Sequence, residues 1–340
     1  MAPSALGNPA TPGGRAVPAR RRPGPRTGIA RLAAMSADAD SFPLDDPFDR
    51  VRRAIRRNLG WYQVGRNDPT TRLGPTGMVR AVLTADGPAT LTVDWSGGEM
   101  EIAAWGPGAE RARAAARPMT AIDRTLDAPP PGHPLVHDAA RWNPRLAAGR
   151  SGDLYHALLP TIIAQRITAG EAVRQWHALV RRLGEPAPGP FPGLLLPPAP
   201  ERLASMPAWW FHPLGIEMKR ARPLIAVARL ADKLWGWADL PHHEVAARLS
   251  LVAGVGPWTI GSVLGPACGD DDAVPVGDLH FPNAVAWNLA GEPRGDDDRM
   301  LELLEPYRPQ RGRVLRLILL AGRRAPARGP RRRILPMYRW

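Results

Sequence analysis

Two glycines around a single valine, Gly254-Val255-Gly256, separate two apolar stretches of helical period and run straight into Pro257-Trp258-Thr259. Glycine permits φ > 0 and lets the backbone approach a ligand where a side chain would collide. Val255 is placed to plug the turn into a core. Pro257 suits the first turn of a helix, where its missing N–H costs nothing. A helix Trp258–Cys268 would then aim its positive end and unpaired N–H groups at whatever occupies the turn, and a phosphate fits that description. One acid, Asp278, follows at the end of Pro275-Val276-Gly277-Asp278. A phosphate anchor followed by a lone carboxylate points to an enzyme that holds a nucleotide by its backbone.

At 340 residues the chain is long enough for two domains with separate cores. Its one cysteine, Cys268, excludes an internal disulfide framework, a four-cysteine zinc site and a cysteine-ligated iron–sulfur cluster. A reducing, cytoplasmic setting is expected, and no stretch is apolar enough to read as a membrane span. The net charge is +13, yet residues 1–35 carry six arginines and no acid, and residues 321–340 seven arginines and no acid. The remainder is formally neutral, so net charge does not predict a basic folded surface. Basic tails could add salt-dependent, sequence-blind affinity for DNA. Only Lys219 and Lys233 are lysines.

Residues 1–40 are Arg/Pro-rich with almost no large apolar side chains and are expected to be disordered. Met35-Ser36-Ala37-Asp38 reads as an alternative start of translation. Residues 41–130 are expected to form a β-rich α+β domain. Residues 61–105 read as strands, among them Met78–Thr84 and Leu91–Trp95, which turns at Ser96-Gly97-Gly98 into Glu99–Ile102, before a short helix Gly108–Arg117. Beyond Pro129-Pro130-Pro131-Gly132 the pattern turns helical through 131–320, with a basic tail over 321–340. Leu154, Leu158, Leu159, Ile162 and Ile163 fall on one helical face. Residues 185–200, with seven prolines, read as a structureless connector. The fold class is mainly α with an N-terminal antiparallel α+β domain.

Leu249–Trp287 resembles the helix-hairpin-helix/Gly-Pro-Asp superfamily of DNA base-excision glycosylases, with Gly254-Val255-Gly256 as its hairpin and Pro275–Asp278 as its loop. The likeness extends over roughly residues 60–320, and the β-rich N-terminal part is similar to the bacterial inducible 3-methyladenine glycosylase branch. The resemblance implies a helix-hairpin-helix glycosylase architecture and a phosphate-binding hairpin of Gly254, Val255, Gly256, Trp258 and Thr259. It makes Asp278 the catalytic aspartate. Gln165 and Arg166 take the positions of the loop that wedges DNA, although family members often carry an apolar or amide side chain where Arg166 stands. Bifunctional members place a Schiff-base lysine where this chain has Trp258, so a monofunctional enzyme is expected.

Cleavage of an N-glycosidic bond develops positive charge on the deoxyribose, which a carboxylate beside the anomeric carbon stabilises. Alkylated purines such as 3-methyladenine and 7-methylguanine already carry positive charge, so the base can depart without a general acid and one aspartate can suffice. Asp278 also suits the N-cap of a helix starting near Leu279. Aromatic stacking would hold the flipped base, and Trp61, Tyr62, Trp209, Trp210 and Trp258 are the candidates. His280 and Phe281 depart from the small or apolar pair expected after the aspartate. Asp270–Asp272 and Asp296–Asp298 read as solvated loops. Double-stranded DNA is the expected partner of a monomeric, cofactor-free enzyme. No metal site is expected, beyond a monovalent cation that the resemblance allows at the hairpin carbonyls. Two alternatives are a non-catalytic DNA-binding protein and a monofunctional glycosylase for deaminated or oxidised bases.

Overall fold

The structure, a computed structural model, describes residues 40–44, 49–124 and 126–326. Residues 1–39 of the leader, the alternative start at Met35 and residues 327–340 of the basic tail lie outside the described residues. The N-terminal part is a five-stranded antiparallel sheet ordered β1-β5-β4-β3-β2. Its strands are β1 (Asp40–Pro43), β2 (Thr71–Leu73), β3 (Gly77–Thr84), β4 (Gly87–Asp94) and β5 (Glu99–Trp105). Met78 pairs with Val93, and Val93 in turn with Ile102, so apolar residues line up across the central strands. Helices α1 (Arg50–Leu59) and α2 (Ala109–Thr120) cover that face.

Helix α1 went unread because five arginines crowd its ten residues; Val51, Ile55, Asn58 and Leu59 nonetheless fall on one buried stripe. Strand structure also begins later than the composition suggests. Gly60–Tyr62 is a 3-10 turn, and the chain then loops around Asp68, whose carboxylate accepts from Val64 N (2.7 Å) and Thr70 N (2.9 Å). These local bonds compete with a β-ladder and win.

The proline-rich connector is packed rather than structureless. Phe191, Leu194 and Leu196 are buried against Val79 and Ala81 on the other face of the sheet. Proline fixes φ, so an extended path can pack without ladder hydrogen bonds.

The helical part holds two clusters. In the larger one, α4 (Leu154–Ala164) lies at the centre of α5 (Ala169–Leu183), α7 (Met218–Ala228), α8 (Ala231–Trp237) and α10 (Pro257–Cys268), with α6 (Pro200–Ser205) and α9 (His242–Ser250) outside. Seven of the eleven α4 residues are buried, more than one stripe, as befits a helix surrounded by others. The smaller cluster joins α3 (Pro134–Trp142) to α11 (Phe281–Ala290), α12 (Asp297–Leu304) and α13 (Arg311–Ala321). None of the helices among the described residues is long and apolar enough to cross a membrane.

A buried polar joint couples the sheet to α4. Arg80 donates to Tyr62 O (2.6 Å) and Thr71 Oγ1 (2.9 Å) and meets His156 Nδ1 at 2.9 Å. Arginine can only donate, so Nδ1 accepts and His156 is neutral; burial and the neighbouring guanidinium hold its pKa well below the usual histidine value. Asp153 caps α4 by accepting from His156 N (2.9 Å), and burial pushes its carboxyl up to about 6, against the pull of Arg80.

A carboxyl that keeps its proton longer in the folded state favours folding at low pH, and that benefit is lost as pH rises through the folded value. Asp153→Asn mimics the protonated form. Relative to wild type the variant should therefore gain stability between pH 4 and pH 6.5, by about 3 kcal/mol at the upper end. Urea unfolding across that range would measure it, and a constant difference would show that Asp153 does not titrate abnormally.

Candidate active site

The hairpin between α9 and α10 uses its two glycines for different physical reasons. Gly254 has φ +85°, and a Cβ there would lie 2.2 Å from Pro223 Cγ of α7. Gly256 is extended (φ −104°, ψ −176°) at the N-cap of α10, and the space where its Cβ would project is open. Val255 is buried between them, and its N–H bonds Val252 O at 2.9 Å. The first amides of α10 have no carbonyl one turn earlier to bond.

Thr259 is fully buried, and its Oγ1 accepts from Gln165 Nε2 at 2.9 Å. The same nitrogen reaches Gly254 O at 2.9 Å, so Gln165 ties the end of α4 to the hairpin and already occupies one hairpin carbonyl. Thr259 can thus offer a ligand its backbone amide, while its hydroxyl faces inward. Arg166, next in the chain, is exposed with φ +59°. A left-handed backbone is uncommon for arginine and carries strain, which the anchored neighbour Gln165 helps to hold.

Asp278 sits where two elements converge. Trp258 Nε1, from the first turn of α10, donates to its Oδ2 at 2.9 Å. His280 N (2.7 Å) and Phe281 N (3.0 Å), at the start of α11, donate to its Oδ1. Asp278 thus binds the amides that lead into α11, but the helix starts at Phe281 rather than near Leu279 and its N-cap position is His280, so Asp278 stands three residues before the first helical residue. The loop reaches Trp258 because Gly261 lets α10 approach: a Cβ there would lie 2.3 Å from Val274 O. Asp297 Oδ1 accepts from Gly277 N (3.0 Å) and holds the loop from behind.

Beside Asp278 lies a cavity of about 120 Å³. Trp258 and Phe281 line it from one side, Trp61 and Tyr62 from another, and α13 closes it with Arg313 and Arg316. The Tyr62 hydroxyl donates to Pro266 O at 3.0 Å, and the Arg316 guanidinium lies 4.5 Å from the Trp61 ring centre. His280 points outward while Phe281 faces the cavity.

Two expectations need correction. Trp209 and Trp210 do not line this cavity. They lie in the 3-10 turn Ala208–Leu214, where Phe211 takes the buried position; Trp210 packs edge-on against that ring at 5.3 Å, and Trp209 is 69% exposed. The acidic runs are also not mere solvated loops. Asp271 is buried, accepting from Ala148 N (2.7 Å) and pairing with Arg124 (2.7 Å); Asp272 pairs with Arg311 (2.6 Å); Asp296 caps α12 through Arg299 N (2.9 Å). Arg316, Gly261 and Asp297 were missed. Only Arg316 left a signal, sharing a helical face with Gly312, Leu315 and Leu319.

No protein-family model matches the chain. A Bacillus subtilis (strain 168) protein, YfjP, named as a candidate DNA-3-methyladenine glycosylase, is 24% identical over 160 residues, 46% of this chain and 54% of that protein. The chain thus matches about half the length of this curated relative. Among solved structures, a 3-methyladenine DNA glycosylase from Archaeoglobus fulgidus superimposes with a TM-score of 0.64 at 16% identity, covering 78% of this chain and 93% of the other. The apo form of an 8-oxoguanine glycosylase/lyase from Clostridium acetobutylicum gives 0.57 at 15% identity, covering 84% and 96%. The chain has the helix-hairpin-helix DNA glycosylase fold. In this chain the Gly254–Gly256 turn leads directly into α10, whose first-turn Trp258 bonds Asp278.

The two glycines should separate by experiment. Gly254→Ala should cost about 2 kcal/mol or more of stability in urea unfolding, from left-handed strain and the Pro223 clash. Gly256→Ala should cost about 1 kcal/mol or less but weaken binding to duplex DNA roughly tenfold, because its methyl group would fill the open approach. Unchanged DNA affinity in Gly256→Ala would remove the phosphate from that site.

Proposed function

We propose that the protein is a monofunctional DNA N-glycosylase that hydrolyses the bond between deoxyribose and a damaged purine. The observation that carries this reading is Asp278, held by Trp258 Nε1 and two α11 amides beside an aromatic-lined cavity, one helix away from an open glycine turn. Duplex DNA would lie with a phosphate at Gly256 and the N-terminus of α10. The damaged nucleotide would rotate out of the stack into the cavity between Trp61, Tyr62 and Phe281, while Arg166 fills or braces the gap left behind.

Three donors fix the Asp278 carboxylate in one orientation, so it need not reorganise when positive charge grows on the sugar. The same carboxylate can orient the attacking water. A lyase step would need an amine nucleophile. Lys219 and Lys233 are both exposed and do not line the cavity, and Trp258 spends its N–H on Asp278. Alkylated purines of the 3-methyladenine and 7-methylguanine type suit this machinery because the base leaves without protonation. The similarity to YfjP and to the Archaeoglobus protein, both named for 3-methyladenine, supports that substrate class.

Free bases released from dimethyl sulfate-treated duplex DNA, with strand nicking assayed separately, test the proposal. Wild type should release methylpurines without enzyme-dependent nicking. Asp278→Asn should abolish release while retaining DNA binding. Trp258→Phe keeps the ring but loses the donor, and kcat should fall about tenfold or more. Undiminished release by Asp278→Asn would sink the assigned chemistry, and damage-independent binding alone would favour a non-catalytic DNA-binding protein.

A further inference from the structure

Most polar side chains that line the Asp278 cavity are already engaged. Asn58 Nδ2 donates to Thr120 O and Arg145 O, and its Oδ1 accepts from Ala147 N. Arg313 donates to Leu146 O, Asp127 O, Pro144 O and Gln310 Oε1. Ser262 Oγ donates to Trp258 O, and Tyr62 and Trp258 are bonded as described. Asp271 is paired with Arg124.

Arg316 is different. Its Nε and Nη2 are buried and have no hydrogen-bond partner among the described residues. An unmet buried donor, above all a charged one, costs free energy comparable to a lost hydrogen bond, so such a group usually marks a place where a ligand or ordered water completes it. Its guanidinium lies over the Trp61 ring, 4.5 Å from the ring centre, and Gly312, Leu315 and Leu319 line the cavity beside it. Burial pulls its pKa down to about 10, with Asp271 opposing, so it stays cationic at neutral pH.

We infer that Arg316 reads an oxygen acceptor on the flipped base, so that the cavity selects 6-oxopurines over 6-aminopurines. This rests on the reading of the cavity as the base pocket. The purine would stack among Trp61, Tyr62 and Phe281 with its glycosidic bond at Asp278 and its carbonyl edge toward the unmatched N–H groups of Arg316. Oxopurines such as hypoxanthine and 7-methylguanine bring an acceptor. 3-Methyladenine instead presents an amino donor where the oxopurines present an acceptor; since 7-methylguanine and 3-methyladenine are both cationic, it is this donor-for-acceptor exchange and not charge that separates them. A site with a committed donor rejects the analogue that leaves it unpaired, and this is a stronger filter than shape.

The test compares full-length wild type and Arg316→Met, which keeps the stem over Trp61 but removes the donors. Single-turnover release is measured for hypoxanthine, 7-methylguanine and 3-methyladenine in duplex DNA. Arg316→Met should lose about tenfold to a hundredfold more on the two oxopurines than on 3-methyladenine. Arg316→Lys, which restores one donor, should recover part of the hypoxanthine rate. Circular dichroism and the urea unfolding midpoint report that each variant is folded. A parallel loss on all three bases, or no loss on any, would overturn the inference and leave the glycosylase reading intact. Release of no base by wild type would remove both.

Discussion

The hydrogen bond from Trp258 to Asp278 is the contact on which the arrangement of the site depends. It spans from the first turn of α10 to the loop that feeds α11, and so it crosses between the two helical clusters. The bond is possible because Gly261 lets the 274–275 backbone press against α10 and because Asp297 grips Gly277 from the opposite side. A carboxylate held by an indole and two helix-end amides has its direction set before any ligand arrives. The open turn at Gly256 belongs to the same helix as Trp258.

A second set of contacts keeps the two halves of the molecule in fixed relation. Tyr62 and Trp61 come from the N-terminal part yet form one wall of the Asp278 cavity. Tyr62 reaches Pro266 O in α10, and Arg80 bonds Tyr62 O on one side and His156 of α4 on the other. The sheet is thus more than an appendage, because the wall of the candidate pocket hangs from it. The cost of burying Arg80 and Asp153 is offset by hydrogen bonds that fix their positions, a trade of stability for definition.

Elements with a clean period or a turn signal were legible. Strands β3, β4 and β5, the turn at Ser96–Gly98, helix α4 and the glycine turn all follow from local pattern, because each is specified by neighbours within a few residues. Helix α1 was hidden because its buried stripe of four residues is outweighed by arginines on its outer faces. The 185–200 connector looked structureless because proline composition speaks to backbone hydrogen bonding and not to the burial of Phe191 and Leu194. Trp209 and Trp210 were attractive as adjacent aromatics, yet a 3-10 turn with Phe211 as its anchor turns them away from Asp278.

The sequence by itself determined that Gly254, Gly256 and Asp278 belong to one unit. Their spacing, the Pro257 helix start and the glycine before the acid are local matters of φ, ψ and chain length. It also determined that no lysine stands at Trp258. Tertiary structure alone decided which aromatics meet Asp278, that Asp271 is buried and paired with Arg124, and that Arg316, which lines the cavity, keeps its Nε and Nη2 without a partner among the described residues. Those outcomes depend on which faces of α10, α13 and the 3-10 turn at Gly60–Tyr62 come together from more than two hundred residues apart, and local sequence carries no record of that convergence.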